Sequence, residues 1–187
     1  VSESRGLGDV YKRQDLDYSA SSISIDLGYR DILVAGQKSG VVYGLDPDNG
    51  EILWSNVLSG GGTQGGVHFG MASEGETVYV PLHDMEQTND GKIYEDLKPG
   101  VHSVDAKTGE LLWSKINPNT CGDIKFCDPG VSAALTAIPG AVIAGHGDGK
   151  IRVYNKNDGE ILWSFNALKE FKSVSGCLVY TSPSPRD

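Results

Sequence analysis

The sequence predicts an all-β protein built from three similar units, and three observations support this prediction. The phrases NGEILWS, TGELLWS and DGEILWS recur at residues 49–55, 108–114 and 158–164. The 25 glycines mostly stand where an apolar run ends, which is typical of short strands joined by tight turns. The runs between them are rich in β-branched and aliphatic residues, as buried strands are.

Each repeated phrase begins with a turn that precedes a tryptophan. The turns read DPDNG at 46–50, DAKTG at 105–109 and NKNDG at 155–159. An Asp or Asn side chain starts such a turn, and a glycine ends it at positive φ. Each phrase therefore predicts a hairpin between two antiparallel strands.

Three further strands precede the tryptophan strand in each unit, and the first of them is the weakest. They are predicted at about 21–27, 31–36 and 40–45, then 67–73, 76–82 and 100–104, and finally 131–138, 141–145 and 150–154. Each unit thus has four strands. The second unit carries an insertion at 83–99, and a cysteine-containing loop at 117–130 precedes the third.

The tryptophans Trp54, Trp113 and Trp163 recur at intervals of about 50 to 60 residues. Four antiparallel strands repeated at this period are typical of β-propeller blades. We interpret the tryptophans as packing residues rather than ligand contacts, because an indole on an outer strand can cover the next blade while its N–H reaches a carbonyl. Three blades form an open arc, so we expect residues 15–176 in isolation to associate.

Composition and charge narrow the possible partners. With 16 Lys and Arg against 25 Asp and Glu, the net charge is -9, and without a basic stripe nucleic acid is an unsuitable partner. No apolar run approaches the length of a membrane span. Residues 1–14 and 177–187 match neither the repeat nor a strand pattern, so we interpret them as non-native tails, or else as ordinary disordered termini. The domain is therefore predicted at 15–176.

The repeated turn and tryptophan resemble the tryptophan-docking motif of pyrroloquinoline quinone repeat propellers, over about residues 21–176. Three further features are similar to the polyvinyl alcohol dehydrogenase branch of that family: GGVHFGMA at 65–72, the cysteine loop followed by Asp128-Pro129, and SAALTAIPGAVIAGHGDGKIRVY at 132–154. The resemblance implies that the chain supplies about three blades of a probable eight.

The same resemblance implies a periplasmic quinoprotein that oxidises secondary or polymeric alcohols. It implies pyrroloquinoline quinone and calcium on the propeller axis, with a cytochrome c as electron acceptor and no activity for the three blades alone. An adjacent cysteine pair and a C-x-x-C-H haem motif are absent from the sequence. The alternative is a non-catalytic scaffold of outer-membrane protein assembly, which would need neither the GGVHFG stretch nor the cysteine loop.

Individual residues take roles from the resemblance. In relatives a glycine-flanked stretch carries the aromatic floor beneath the quinone, and Gly66, Phe69 and Met71 would occupy it here. The alternative is close strand packing with ordinary core side chains. Lys156 holds a turn position that contacts the quinone in some relatives, although the equivalent Lys107 favours a generic surface turn.

Two aspartates are candidates for the chemistry itself. Asp84 corresponds to a calcium ligand in relatives, and a carboxylate suits calcium, but it is also a common turn starter. Asp128 stands where a catalytic base would enter to take the alcohol proton, but Asp-Pro-Gly is a common loop phrase. Cys121 and Cys127 would pair in an oxidising periplasm, with free thiols as the alternative. The four histidines lack metal-ligand spacing and are expected to be polar groups at strand ends.

Overall fold

The computed structural model describes residues 16–85, 95–122, 124, 127–172, 174–176 and 178–180. These residues form three four-stranded antiparallel sheets, each in sequential order, and the described part of the chain contains no helix. The predicted all-β class and the four strands per unit are confirmed. The tail predicted at 1–14 lies outside the described residues.

We number the strands in chain order and call the sheets blades 1, 2 and 3. Blade 1 contains β1 (Ile23–Asp26), β2 (Asp31–Gly36), β3 (Val41–Leu45) and β4 (Ile52–Val57). Blade 2 contains β5 (Ala72–Glu74), β6 (Thr77–Leu82), β7 (Gly100–Asp105) and β8 (Leu111–Ile116). Blade 3 contains β9 (Thr136–Ile138), β10 (Ala141–Gly145), β11 (Lys150–Asn155) and β12 (Ile161–Asn166). The first strands of successive blades contact one another, β1 with β5 and β5 with β9, as expected for the innermost strands of a propeller arc.

A short antiparallel hairpin follows blade 3 and extends beyond the predicted domain boundary. It pairs β13 (Glu170–Lys172) with β14 (Leu178–Tyr180). β14 lies within 177–187, the segment that the sequence sets apart from the repeat.

The inner strands of blades 2 and 3 are shorter than predicted. Residues 65–71 precede β5 and form no strand, so the prediction that this stretch begins an inner strand is wrong. The physical reason is that its backbone bonds neighbouring segments instead of a sheet ladder. The Val67 N–H donates to the Gln37 carbonyl at 3.2 Å, and the Gly70 carbonyl accepts from the Leu135 N–H at 2.9 Å.

The three repeated turns have the same geometry. Gly50, Gly109 and Gly159 have φ of 75°, 73° and 71°, and each N–H donates to the carbonyl of the residue that starts its turn, at 2.8 to 2.9 Å. A register shift follows in each pairing of the third strand with the fourth. The predicted hairpins are confirmed, because only the glycine accepts this backbone conformation without strain.

The tryptophan of each blade docks on the turn of the next blade. Trp54 donates its indole N–H to the Ala106 carbonyl at 2.9 Å, and Trp113 donates to the Lys156 carbonyl at 2.8 Å. A Cβ on Gly109 would lie 2.4 Å from the Trp54 ring, and one on Gly159 would lie 2.6 Å from the Trp113 ring. The turn position therefore requires glycine for two reasons. Its backbone has a positive φ, and the indole of the preceding blade packs directly against its Cα.

Apolar side chains fill both spaces between blades, and β6 contributes to each. Val78, Val80 and Leu82 pack toward blade 1, whereas Tyr79 packs toward blade 3. Alternate residues of a strand face opposite sides of its sheet, so the middle blade needs an apolar residue at nearly every position. This requirement explains the uninterrupted apolar run TVYVPL.

The large side chains of the last strand of blade 3 are partly exposed to solvent. Trp163 lies in β12, is 52% exposed, and stacks parallel to Phe165 with ring centroids 5.9 Å apart. Among the described residues, no turn receives the Trp163 indole as the turns of blades 2 and 3 receive those of Trp54 and Trp113.

We predict that Gly109→Ala destabilises the protein more than Gly50→Ala does. Both substitutions place a side chain at positive φ, at a cost of about 1 to 2 kcal/mol. Only the Cβ at 109 meets an indole, whereas nothing lies within 4 Å of one at 50. Overpacking should add about 1 to 3 kcal/mol. Urea unfolding followed by tryptophan fluorescence measures the difference, and equal losses would contradict the docking role of Gly109.

Candidate functional site

The antiparallel topology sorts the loops onto two ends of the blades. The turns between the first and second strands share one end with the docking turns. The loops that connect β6 to β7, β4 to β5 and β8 to β9 lie at the other end. Asp84, Asp128 and the stretch 65–70 belong to these loops, so the structure brings them to a common end.

Lys156 lies at the opposite end, in the turn between β11 and β12, and its counterpart in the preceding docking turn is Ala106 rather than Lys107. Its Nζ contacts both carboxylate oxygens of Glu74 at 3.0 and 3.1 Å, and its carbonyl accepts the Trp113 indole. The structure therefore does not bring Lys156 together with Asp84 and Asp128. Strand polarity is the reason, since the turn after a third strand emerges away from the loop after a second strand.

Asp84 is a buried carboxylate that joins two segments of backbone. It is 1% exposed with φ of 38°, and it accepts the Gly66 N–H on Oδ1 at 2.6 Å and the Lys98 N–H on Oδ2 at 2.8 Å. A Cβ on Gly66 would lie 2.2 Å from the Lys38 carbonyl, so this position excludes a side chain. The predicted residue Gly66 thus presents its amide to Asp84.

Asp128 follows the cysteine loop and is 7% exposed. The structure contains a Cys121–Cys127 disulfide, with Cα atoms 5.5 Å apart, which closes that loop. Asp128 Oδ1 accepts the Gly130 N–H at 2.7 Å. A Cβ on Gly130 would lie 1.7 Å from the His83 carbonyl, so the loop lies directly on the segment that carries Asp84.

The two aspartates line the same cavity, which has a volume of about 330 Å³. Its wall combines polar and apolar groups: Asp84, Leu97, Pro99, Ile116, Asn117, Asn119, Asp128 and Pro129. Such a mixture of a few convergent polar groups with apolar side chains is typical of small-molecule sites. The cavity thus brings side-chain oxygens of aspartate and asparagine together with apolar side chains.

An aromatic cluster adjoins this region at the segments that lead into the inner strands. Phe69 packs edge-on against His83, with ring centroids 5.4 Å apart, and lies 4.9 Å from the His68 ring. Ser19, which precedes β1, donates to the His68 carbonyl at 3.1 Å. The His83 ring hydrogen-bonds the backbone of Val131, which precedes β9. The cluster thus lies where the entries to β1, β5 and β9 meet.

The two histidines of the cluster are uncharged at neutral pH. Burial, reinforced by the nearby His68, lowers the pKa of His83 to about 4. Burial, followed by the positive charge of Lys38, also lowers the pKa of His68. Among the described residues neither Nδ1 atom has a hydrogen-bond partner, although both atoms are buried. Unpaired buried polar atoms are rare in folded proteins, and a ligand contact is one explanation for them.

Sequence reasoning did not identify this histidine pair. The histidines lacked metal-ligand spacing, but the available signal was their neighbours: His68 stands between Val67 and Phe69 in the glycine-flanked stretch, and His83 directly precedes Asp84. His102 also differs from the expectation for a strand-end group, because it lies within β7, 1% exposed and hydrogen-bonded to the Lys98 carbonyl at 2.9 Å.

The remaining predicted cofactor residues separate in the structure. Phe69 belongs to the aromatic cluster, whereas Met71 is 7% exposed within the core between blades 1 and 2. For calcium, the described residues contain no group of three or more His, Cys, Asp or Glu side chains placed to hold a metal ion. Both Asp84 oxygens already accept amide hydrogens. Among the described residues, Asp84 is therefore not joined by a cluster of further acidic, histidine or cysteine side chains, and its role as a calcium ligand stays a prediction.

Comparison with known proteins places these features in context. A profile of the PQQ_2 family, described as "Outer membrane protein assembly factor BamB", matches residues 38–179. A polyvinylalcohol dehydrogenase of Pseudomonas sp is 44% identical over 151 residues, and one of Sphingopyxis sp. (strain 113P3) is 36% identical over 156 residues. These alignments cover 79% and 81% of this chain but 23% of each relative, so the chain spans about a quarter of their length.

A solved structure shares the fold. The quinohemoprotein alcohol dehydrogenase ADHIIG from Pseudomonas putida HK5 superimposes with a TM-score of 0.55 and 14% identity, covering 80% of this chain and 29% of that chain. At this identity the likeness shows the propeller fold alone. Among the described residues no helix has the length and apolar character needed to cross a membrane.

We predict that Asp84→Ala loosens the site more than Asp84→Asn. Alanine leaves two buried amides without an acceptor, each costing about 1 to 3 kcal/mol, whereas asparagine keeps one acceptor and tolerates positive φ. Hydrogen exchange should accelerate at the amides of Gly66 and Lys98, in the order wild type, Asn, Ala. Unchanged protection in Asp84→Ala would show that these amides find other acceptors.

Proposed function

The chain belongs to the PQQ_2 family of repeat propellers, and from this membership we propose that it forms part of a longer quinone-dependent alcohol dehydrogenase. The observation that carries the proposal is the convergence of two buried carboxylates, Asp84 and Asp128, on one cavity. The identity to proteins named polyvinylalcohol dehydrogenase supports a secondary or polymeric alcohol as substrate.

Asp128 is the proposed catalytic base. An alcohol becomes a carbonyl compound when its hydroxyl proton and a hydride equivalent leave, and a carboxylate within hydrogen-bond reach can take the proton. Asp128 Oδ1 accepts the Gly130 N–H at 2.7 Å, which fixes the orientation of the carboxylate. Leu97, Pro99 and Ile116 would pack against the carbon skeleton of the alcohol.

The aromatic cluster is the part of the chain that best fits a quinone. Bound pyrroloquinoline quinone would supply the two-electron acceptor that the oxidation requires. The ring of Phe69 offers an aromatic surface, and the Nδ1 atoms of His68 and His83, which have no partner in the described part of the chain, offer hydrogen-bonding positions. These side chains would hold one face of the cofactor, and the blades outside this chain would complete the site.

The location and the electron acceptor belong to the same proposal. The Cys121–Cys127 disulfide supports an oxidising compartment such as the periplasm, because cytosolic thiols are kept reduced. A cytochrome c is the proposed acceptor of the electrons. Calcium is proposed from the family resemblance alone and would take its ligands largely from residues beyond those described.

A second candidate is a non-catalytic scaffold, and it is favoured by the matching family, which is described as an outer-membrane protein assembly factor. The complete protein that contains this chain should separate the two functions. We predict that it takes up pyrroloquinoline quinone stoichiometrically, with a change in the absorbance of the cofactor, and that it reduces a dye in the presence of polyvinyl alcohol. A protein that binds no quinone at micromolar concentration would support the scaffold and reject the dehydrogenase.

The role of Asp128 predicts a specific variant. Asp128→Asn in the complete protein should retain quinone but lower turnover by about 10²- to 10⁴-fold, since the amide keeps the shape of the carboxylate and cannot accept the proton. Asp48→Asn, in the exposed turn of blade 1, is the matched control and should leave turnover unchanged. Unaltered turnover in Asp128→Asn would remove this residue from the mechanism while leaving the quinone-binding result to decide the function.

A further inference from the structure

Three polar side chains form a closed ring of hydrogen bonds next to the Pro129 carbonyl, one residue after Asp128. Tyr154 in β11 is fully buried, and its hydroxyl lies 3.1 Å from Asn117 Oδ1 and 2.9 Å from His146 Nε2. Asn117 Nδ2 lies 3.1 Å from His146 Nδ1. Asn117 and His146 are 3% and 5% exposed, so the ring is shielded from water.

One tautomer satisfies every polar atom of this ring. With the proton on Nε2, His146 donates to the Tyr154 hydroxyl, which donates to Asn117 Oδ1, and the Asn117 amide donates back to His146 Nδ1. The second amide hydrogen of Asn117 then reaches the Pro129 carbonyl at 3.2 Å. With the proton on Nδ1, His146 would itself donate to that carbonyl at 3.2 Å. Its Nδ1–H would then lie against the Asn117 amide group, which is also a donor. In either tautomer the Pro129 carbonyl is held.

The ring is uncharged at neutral pH. Burial, followed by the positive charge of Arg152, lowers the pKa of His146 to about 4. Burial raises the pKa of Tyr154 to about 12. A buried network of neutral, fully satisfied groups is rigid, because breaking any one bond leaves unpaired groups in a medium of low dielectric.

A charged cluster holds the disulfide loop at its other end, at Thr120 just before Cys121. Arg152 binds Asp148 through two nitrogens at 3.1 and 2.5 Å, and Thr120 donates to Asp148 Oδ2 at 3.2 Å. Lys150 Nζ donates to Thr120 Oγ1 at 2.6 Å. Burial alone would raise the pKa of Asp148, but its bonds with Arg152 and the charge of Arg152 outweigh burial and lower that pKa. The disulfide loop is therefore attached to blade 3 both before Cys121 and after Cys127.

The second attachment lies directly beside the Asp128 carboxylate. Pro129 is the next residue, and the N–H of the following Gly130 is the donor to Asp128 Oδ1. The Gly130 carbonyl in turn accepts the Gly147 N–H at 3.0 Å, from the loop that carries His146. The backbone that fixes the carboxylate is thus held on both sides by blade 3.

We propose that Asn117, His146 and Tyr154 are positioning residues for the Asp128 carboxylate, acting through the Pro129 carbonyl. The inference rests on the proposed role of Asp128 as base. Tyr154 and His146 do not line the cavity, so contact with substrate would not explain an effect of these two residues on proton removal. A purely structural role would stabilise blade 3 without affecting Asp128.

The first test needs no turnover: it measures hydrogen exchange of the Gly130 amide, which is the donor to Asp128. Tyr154→Phe removes one hydroxyl and leaves Asn117 Oδ1 and His146 Nε2 unpaired. Tyr79→Phe is the control, because Tyr79 is 2% exposed and packs in the same core as Tyr154, but its hydroxyl is not a member of the ring. In the complete protein, exchange of the Gly130 amide should accelerate by about tenfold in Tyr154→Phe, the effect of losing one hydrogen bond, and stay unchanged in Tyr79→Phe.

The second test uses turnover in a double-mutant cycle. Tyr154→Phe should lower kcat by about tenfold with KM and quinone retention unchanged. In the Asp128→Asn background the same substitution should lower kcat no further, because there is no base left to position. His146→Gln keeps a donor toward Tyr154 and should give an intermediate kcat, which provides a second variant if Tyr154→Phe does not fold.

The outcomes separate this inference from the proposed function. If Asp128→Asn loses turnover but Tyr154→Phe and His146→Gln keep wild-type kcat and Gly130 protection, the ring is only structural and the positioning role is wrong. Equal kcat losses from Tyr154→Phe with and without Asp128 would also overturn it. If Asp128→Asn retains full turnover, the base assignment fails and the inference fails with it, while the exchange result still reports whether the ring holds Gly130.

Discussion

The hydrogen bond from an outer-strand indole to the turn of the next blade is the interaction on which the arrangement of blades depends. Trp54 and Trp113 each reach a carbonyl and a glycine at fixed places in the following turn. Because the acceptor and the glycine lie only three residues apart, the indole fixes both the separation and the rotation of neighbouring blades. The apolar packing between blades is non-directional and would not specify this register alone.

Docking at one end of the blades leaves the other end available for variable loops. The turns that receive the indoles are short and repeated, whereas the loops at the opposite end carry the 83–99 insertion and the disulfide loop. Asp84 and Asp128 lie in those loops, and Lys156 lies in a docking turn. The same separation of a rigid scaffold from functional loops is common among proteins in which function is added to a stable fold.

The two aspartates combine a structural and a proposed chemical role. Asp84 ties the entry of β5 to the entry of β7, and Asp128 caps the backbone of Gly130. The amide N–H groups of Gly66, Lys98 and Gly130 bind these side chains and fix their orientation within the loops. The turn-starting and loop interpretations of the sequence are thus compatible with the proposed function, since an oriented carboxylate is what proton transfer requires.

The sequence by itself determined the strands, the hairpin turns and the positions of the tryptophans, because these depend on local backbone preferences and on a pattern that recurs three times. It overextended the inner strand at 67–73, where long-range backbone bonds replace the ladder. Only the tertiary structure decided that Lys156 lies away from Asp84, that His68, Phe69 and His83 form one cluster, and that Tyr154 reaches Asn117. Such pairs are far apart in the chain, and their contact depends on how whole blades dock, which no local pattern encodes.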